Sequence, residues 1–171
     1  MNENSLDNIA QQGSGEEPIL VLGLGNPLYG DDGLGLSALE SLRGLGPFAT
    51  GVDLVDGGTM GLYLIDRISG YEKVLILDSL KVDEAPGTVV MVEGDDVATT
   101  FRTKLSAHQM GFNDLLSALT LMDRRPGEII VIGMVPQTLE LGMGLSKPVE
   151  ASIPRMAQTA LLVLDRWGGR G

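Results

Sequence analysis

Cysteine is absent from the 171 residues, which excludes disulfides, thiolate zinc sites, iron–sulfur ligation and a cysteine nucleophile. Such an absence is expected of a cytoplasmic protein. Histidine is nearly absent too: His108 stands alone, so the paired histidines of a zinc protease cannot form. Basic residues are scarce, 12 Lys and Arg against 23 Asp and Glu, giving a formal charge of −11. A surface of that sign repels nucleic-acid phosphates and anionic membranes, so the expected partners are cationic, metallic or protein, with no nucleic acid and no membrane. No apolar run approaches the roughly 20 residues of a membrane span, because Gly or a charge interrupts each one. Low-complexity segments, linkers and internal repeats are also missing. The start, Met1 to Glu17, lacks the basic and apolar regions of a signal peptide and is expected to be a flexible tail ahead of one domain over residues 18–167.

What is present is the pattern of a globular α/β protein. Hydrophobic residues make up 43% of the chain and charged residues 20%, enough for a sizeable core. Ile19 to Gly25 is a continuous apolar run ending in glycines, the signature of a strand buried on both faces of a parallel sheet and here expected to be the central one. Leu36, Leu39 and Leu42 follow at helical spacing, stopped by Gly44 and Gly46. The unit recurs with Val52–Asp56 as strand, a Gly57-Gly58 turn, and Met60, Leu64, Ile65 and Ile68 as a helix face. Further strands are predicted over Lys73–Asp78, Gly87–Val92 and Glu128–Gly133. A helix is expected through Phe112, Leu115, Leu116, Leu119 and Met122, and a last one along Val149, Ile153, Met156, Ala160, Val163 and Trp167. Ser146 should cap that last helix, with Pro148 in its first turn and Pro154 kinking it. The expected fold is a single α/β domain, a twisted, mostly parallel five-stranded sheet with helices on both faces.

In such sheets ligands bind beyond the carboxyl ends of the strands. The residues there are Gly25 to Gly33, Asp56 to Thr59, Asp78, and Gly133 to Pro136; three of these four turns carry carboxylates, so a cation would be drawn to the rim. Gly23-x-Gly25 suggests a dinucleotide fingerprint, but Leu28 occupies the third glycine position, and Asp31 and Asp32 stand where a pyrophosphate needs N–H groups. No nucleotide is expected. Gly23 to Pro27 is also similar to the opening of peptidyl-tRNA hydrolase, yet the charge is unsuited to RNA and no histidine follows closely. One imidazole with two carboxylates remains open as a site for nickel, zinc or another divalent ion. Plain structural roles compete at every position. Asp32 can cap the helix after it, Asp78 the turn after its strand, and Asp56 or Thr59 the second helix. His108 at a helix entrance can be a hydrogen-bonded structural residue.

Taken together and in order, these segments resemble the hydrogenase maturation protease family. The blocks are Gly23 to Gly35, Asp56-Gly57-Gly58-Thr59, Val74 to Asp78, Ser106 to Gly111, and Gly133 to Glu150, and the resemblance runs from Ile19 to Leu164. It implies an endopeptidase that removes the C-terminal extension of a [NiFe]-hydrogenase large-subunit precursor after nickel insertion, with nickel supplied by that precursor. The family's metal-contacting and catalytic positions fall on Asp32, Asp78 and His108. The resemblance also implies that Asp56, Gly57, Gly58 and Thr59 hold the extended substrate peptide. A non-catalytic nickel-binding checkpoint or assembly factor for the same precursor is the alternative.

Overall fold

In the computed structural model, residues 17–59, 63–102 and 107–171 are described, the side chains of residues 101, 102 and 107–113 excepted. Strands β1 (Ile19–Leu24), β2 (Val52–Gly58), β3 (Lys73–Ser79), β4 (Val89–Glu93) and β5 (Glu128–Met134) form one sheet in the order β2-β1-β3-β5-β4. Helices α1 (Leu34–Arg43), α2 (Leu64–Ile68), α3 (Asp96–Arg102), α4 (Ala107–Leu121) and α5 (Lys147–Arg166) complete it. The first three pairings are parallel, and β4 runs antiparallel along β5 at the edge. Residues 80–88 join β3 to β4 without a helix, too short a path for a crossover back to the other end of the sheet, so the strand direction reverses. β1 is interior, but β3 rather than β1 is the middle strand.

Alternation along the strands divides the core in two. Ile19, Val21, Leu75, Leu77, Ile130 and Ile132 face α1 and α5, while Leu20, Leu22, Val74, Ile76 and Val131 face the other way, toward α2, α3 and α4. This is why β1, β3 and β5 read as continuous apolar runs buried almost throughout, whereas edge strand β2 is broken by Asp53 and Asp56 and edge strand β4, though apolar from Val89 to Val92, is only partly buried. On α1 the buried face is Leu34, Ala38, Leu39 and Leu42, with Leu36 half-buried. The helical assignment of α5 runs unbroken through Pro154. The helix α3 is an element that periodicity did not indicate: Thr99 and Thr100 have low helix propensity, and among its described side chains only Val97 lies in the core. Glu17 pairs with Lys73 at 2.8 Å, and beyond Trp167 the chain still bonds to the body, Gly169 accepting from Ala49 at 3.0 Å.

The glycines around the first turn allow close approach. A Cβ on Gly35 would collide with the carbonyl oxygens of Leu24 and Leu77, and one on Gly33 would come within 2.8 Å of the Pro27 Cα. Gly25, at φ +130°, would collide with the Asp32 carbonyl. The helix α1 therefore seats directly on the carboxyl ends of β1 and β3, and the Gly-rich stretch serves the chain's own packing. Gly35→Ala is expected to lower unfolding stability by about 3 kcal/mol, since both obstructing atoms are backbone; urea titration checks this, and a loss below about 0.5 kcal/mol would show that the helix can shift.

Candidate functional site

Asp32 ends up in a short 3-10 turn, Gly30–Gly33, between β1 and α1, and Asp78 in the last turn of the pleat of β3, one residue before its end. Both carboxylates are buried, at 4% and 1% exposure. They meet at Ser79. The Ser79 amide donates to Asp78 Oδ1 at 2.7 Å, and its hydroxyl donates to Asp32 Oδ1 at 3.4 Å. Asp32 Oδ2 accepts the Asn26 N–H at 2.9 Å, so a side-chain carboxylate takes the donor that a phosphate would use in a nucleotide-binding turn. Asp32 makes no helix cap: the N-cap of α1 is Gly33, with no side-chain cap bond.

The Asp56 to Thr59 segment lies one strand away. The strand β2 extends through Gly58, two residues past its predicted end, and Gly25 N–H donates to Gly58 O at 3.0 Å, joining the two rim segments. Asp56 Oδ1 turns back on the Gly58 amide at 2.9 Å, which fits Gly58 at φ +47°. Neither Asp56 nor Thr59 caps α2, whose N-cap is Tyr63. Met60 lies outside the described residues, and the backbone of His108 stands in the first turn of α4 while its side chain lies outside the described ones. Among the described residues no group of three or more His, Cys, Asp or Glu converges as a metal site.

Asp31, the neighbour of Asp32, has a role that spacing did not reveal. It is fully buried, and its carboxylate accepts four hydrogen bonds: Gln137 N–H at 2.8 Å, Thr138 N–H at 3.1 Å, Ser146 N–H at 2.7 Å and the Ser146 hydroxyl at 2.8 Å. Burial by itself would push its pKa up; the Ser146 amide and hydroxyl, then the Thr138 and Gln137 amides, outweigh it and hold the carboxyl below its ordinary 3.8. Ser146 is the N-cap residue of α5, as expected, but its hydroxyl binds Asp31 instead of capping the helix. The loop after β5 is thereby fastened to the turn after β1. Only the distant loop reveals why two adjacent aspartates differ.

A doubly covered sheet with two buried carboxylates at the carboxyl rim of its strands is that of an α/β protein whose candidate ligand site lies at that rim. A family model described as hydrogenase maturation protease matches residues 37–163. The hydrogenase expression/formation protein HupD of Rhizobium leguminosarum is 39% identical over 152 residues, covering 88% of this chain and 75% of that protein. The hydrogenase 2 maturation protease of Escherichia coli is 34% identical over 151 residues, covering 88% and 92%. The solved structure of the hydrogenase maturating endopeptidase HybD from E. coli superposes with a TM-score of 0.85 at 33% identity, covering 90% of this chain and 95% of that one. The chain belongs to the hydrogenase maturation protease family.

Proposed function

We propose that this protein is the endopeptidase that hydrolyses one peptide bond of a [NiFe]-hydrogenase large-subunit precursor, releasing the C-terminal extension once nickel is in place. Family membership supports the reaction class, and the observation that carries the site is the convergence of buried Asp32 and Asp78 on Ser79 at the carboxyl rim. Asp32, Asp78 and His108 are the metal-contacting residues in this reading. Carboxylate oxygens and one imidazole suit a divalent ion such as nickel but form a weak set for holding one alone. The precursor brings the ion and the remaining ligands. Held between the precursor's ligands and Asp32, Asp78 and His108, such an ion would position the scissile bond at the rim and could polarise either its carbonyl or the water that hydrolyses it. Asp56, Gly57, Gly58 and Thr59, one strand away, would receive the extended peptide on backbone groups. Among the described residues no helix is long and apolar enough to cross a membrane. The cytoplasmic location belongs to this reading through the precursor, and the cysteine-free sequence is compatible with it.

The test is mass spectrometry of purified precursor, nickel-loaded and metal-free, after incubation with the enzyme. Nickel-loaded precursor is expected to lose its extension and metal-free precursor to stay intact. Coupling must be reciprocal, so precursor should raise the affinity for metal as metal raises that for precursor. Cutting of metal-free precursor or casein at a similar rate would overturn the gating, and a stable complex of unchanged mass would favour a binding checkpoint over a protease.

A further inference from the structure

Ten large apolar side chains are exposed among the described residues, and four of them stand together. Leu28 and Tyr29 lie on the turn after β1; Leu141 and Met143, at 78% and 83% exposure, flank Gly142 on the loop after β5. The backbone joins the two turns. Tyr29 and Gly142 form a parallel bridge, Gly30 N–H donates to Gly142 O at 2.7 Å, and Gly142 N–H donates to Leu28 O at 2.9 Å. A Cβ at Gly142 would meet nothing within 4 Å, so the middle of this patch faces open space.

The patch is rigidly mounted. The Asp31 carboxylate grips the loop on both sides of Leu141 and Met143, through Gln137 and Thr138 before them and Ser146 after. It also adjoins the candidate site, since the Asp32 N–H donates to Tyr29 O at 3.1 Å. Clustered apolar side chains held in place beside a site mark a protein contact. A second copy of this chain is disfavoured as occupant, because two surfaces of charge −11 repel each other. A protein with an apolar face and a neutral or basic rim fits instead.

We propose that Leu28, Tyr29, Leu141 and Met143 are the docking face for the folded body of the precursor, separate from the groups that contact the bond being cut. This rests on the function proposed above. A substrate whose chain reaches Asp32 must bring its body against the rim, and this patch lets that contact contribute affinity.

The test compares wild type with the Leu141→Asp, Met143→Asp double variant, using nickel-loaded precursor. Both side chains are exposed, so the melting temperature should be retained; Gly142→Glu, which adds a charge into open space, serves as a second variant. Expected results are a KM raised about tenfold or more with kcat at saturation within about twofold, and matching loss of precursor affinity by calorimetry. Unchanged KM and affinity in folded variants overturn the docking face while wild-type cutting leaves the proposed function standing. A wild-type protein that neither binds nor cuts the precursor overturns both. Conversion of a wild-type dimer to monomers at unchanged precursor affinity, read by sedimentation, would assign the patch to a second copy and overturn the proposal.

Discussion

Asp32→Asn and Asp78→Asn are each expected to slow processing of nickel-loaded precursor on the order of a thousandfold or more, with the fold intact, and His108→Ala to do the same. The substitution removes charge while sparing the hydrogen bonds described above. At position 32 an amide oxygen can accept the Asn26 N–H while the amide nitrogen faces the Ser79 hydroxyl, which accepts as well as donates. At position 78 the amide oxygen can take the Ser79 N–H. Stability losses of only about 1–2 kcal/mol follow. Rates measured by mass spectrometry of the precursor, beside urea unfolding of each variant, check both halves. A folded variant that processes at the wild-type rate removes that residue from the site.

Asp31→Asn should behave in the opposite way, as a stability defect of about 3 kcal/mol, or a melting temperature lower by about 6–12 °C. All four groups that bind this carboxylate are donors toward it, so an amide must turn its own N–H groups on at least one of them. The defect should depend on pH. The carboxyl is held below its ordinary 3.8 in the folded chain, so the unfolded chain binds the proton more readily. Its stabilisation is fully present above that ordinary value and is lost as pH falls through the lower folded one. The gap between wild type and variant should therefore be constant from pH 5 to 7 and shrink below about pH 4. Denaturant titrations across that range measure it; a gap that persists unchanged at pH 3 would mean that the charge is not what holds the loop.

These two neighbours also show how far a linear reading reaches. Asp31-Asp32 is visible as a pair of acids after a glycine-rich strand end, and the family resemblance selects Asp32. What separates their tasks is the loop from Gln137 to Ser146, more than a hundred residues later, where the Gln137, Thr138 and Ser146 donors converge on Asp31. The role of Ser79 is hidden in the sequence for a similar reason. It follows Asp78 in the chain, but its hydroxyl matters only once β3 lies beside the turn after β1.

The five strands, to within two residues at each end, and most of the apolar faces of α1, α4 and α5 were determined by the sequence alone, because burial on both faces requires unbroken apolar runs and helical packing requires apolar spacing of three and four; Met122, at the end of one such series, instead lies past α4 and is exposed. The charge of −11 and the absence of cysteine likewise bounded the chemistry before any coordinates. Tertiary structure decided the rest: the reversed edge strand β4, the seating of α1 on glycine-lined strand ends, the short helix α3, the difference between Asp31 and Asp32, and the apolar patch formed by two distant loops. Each depends on partners that meet only after folding, and local propensity carries no record of a partner far along the chain.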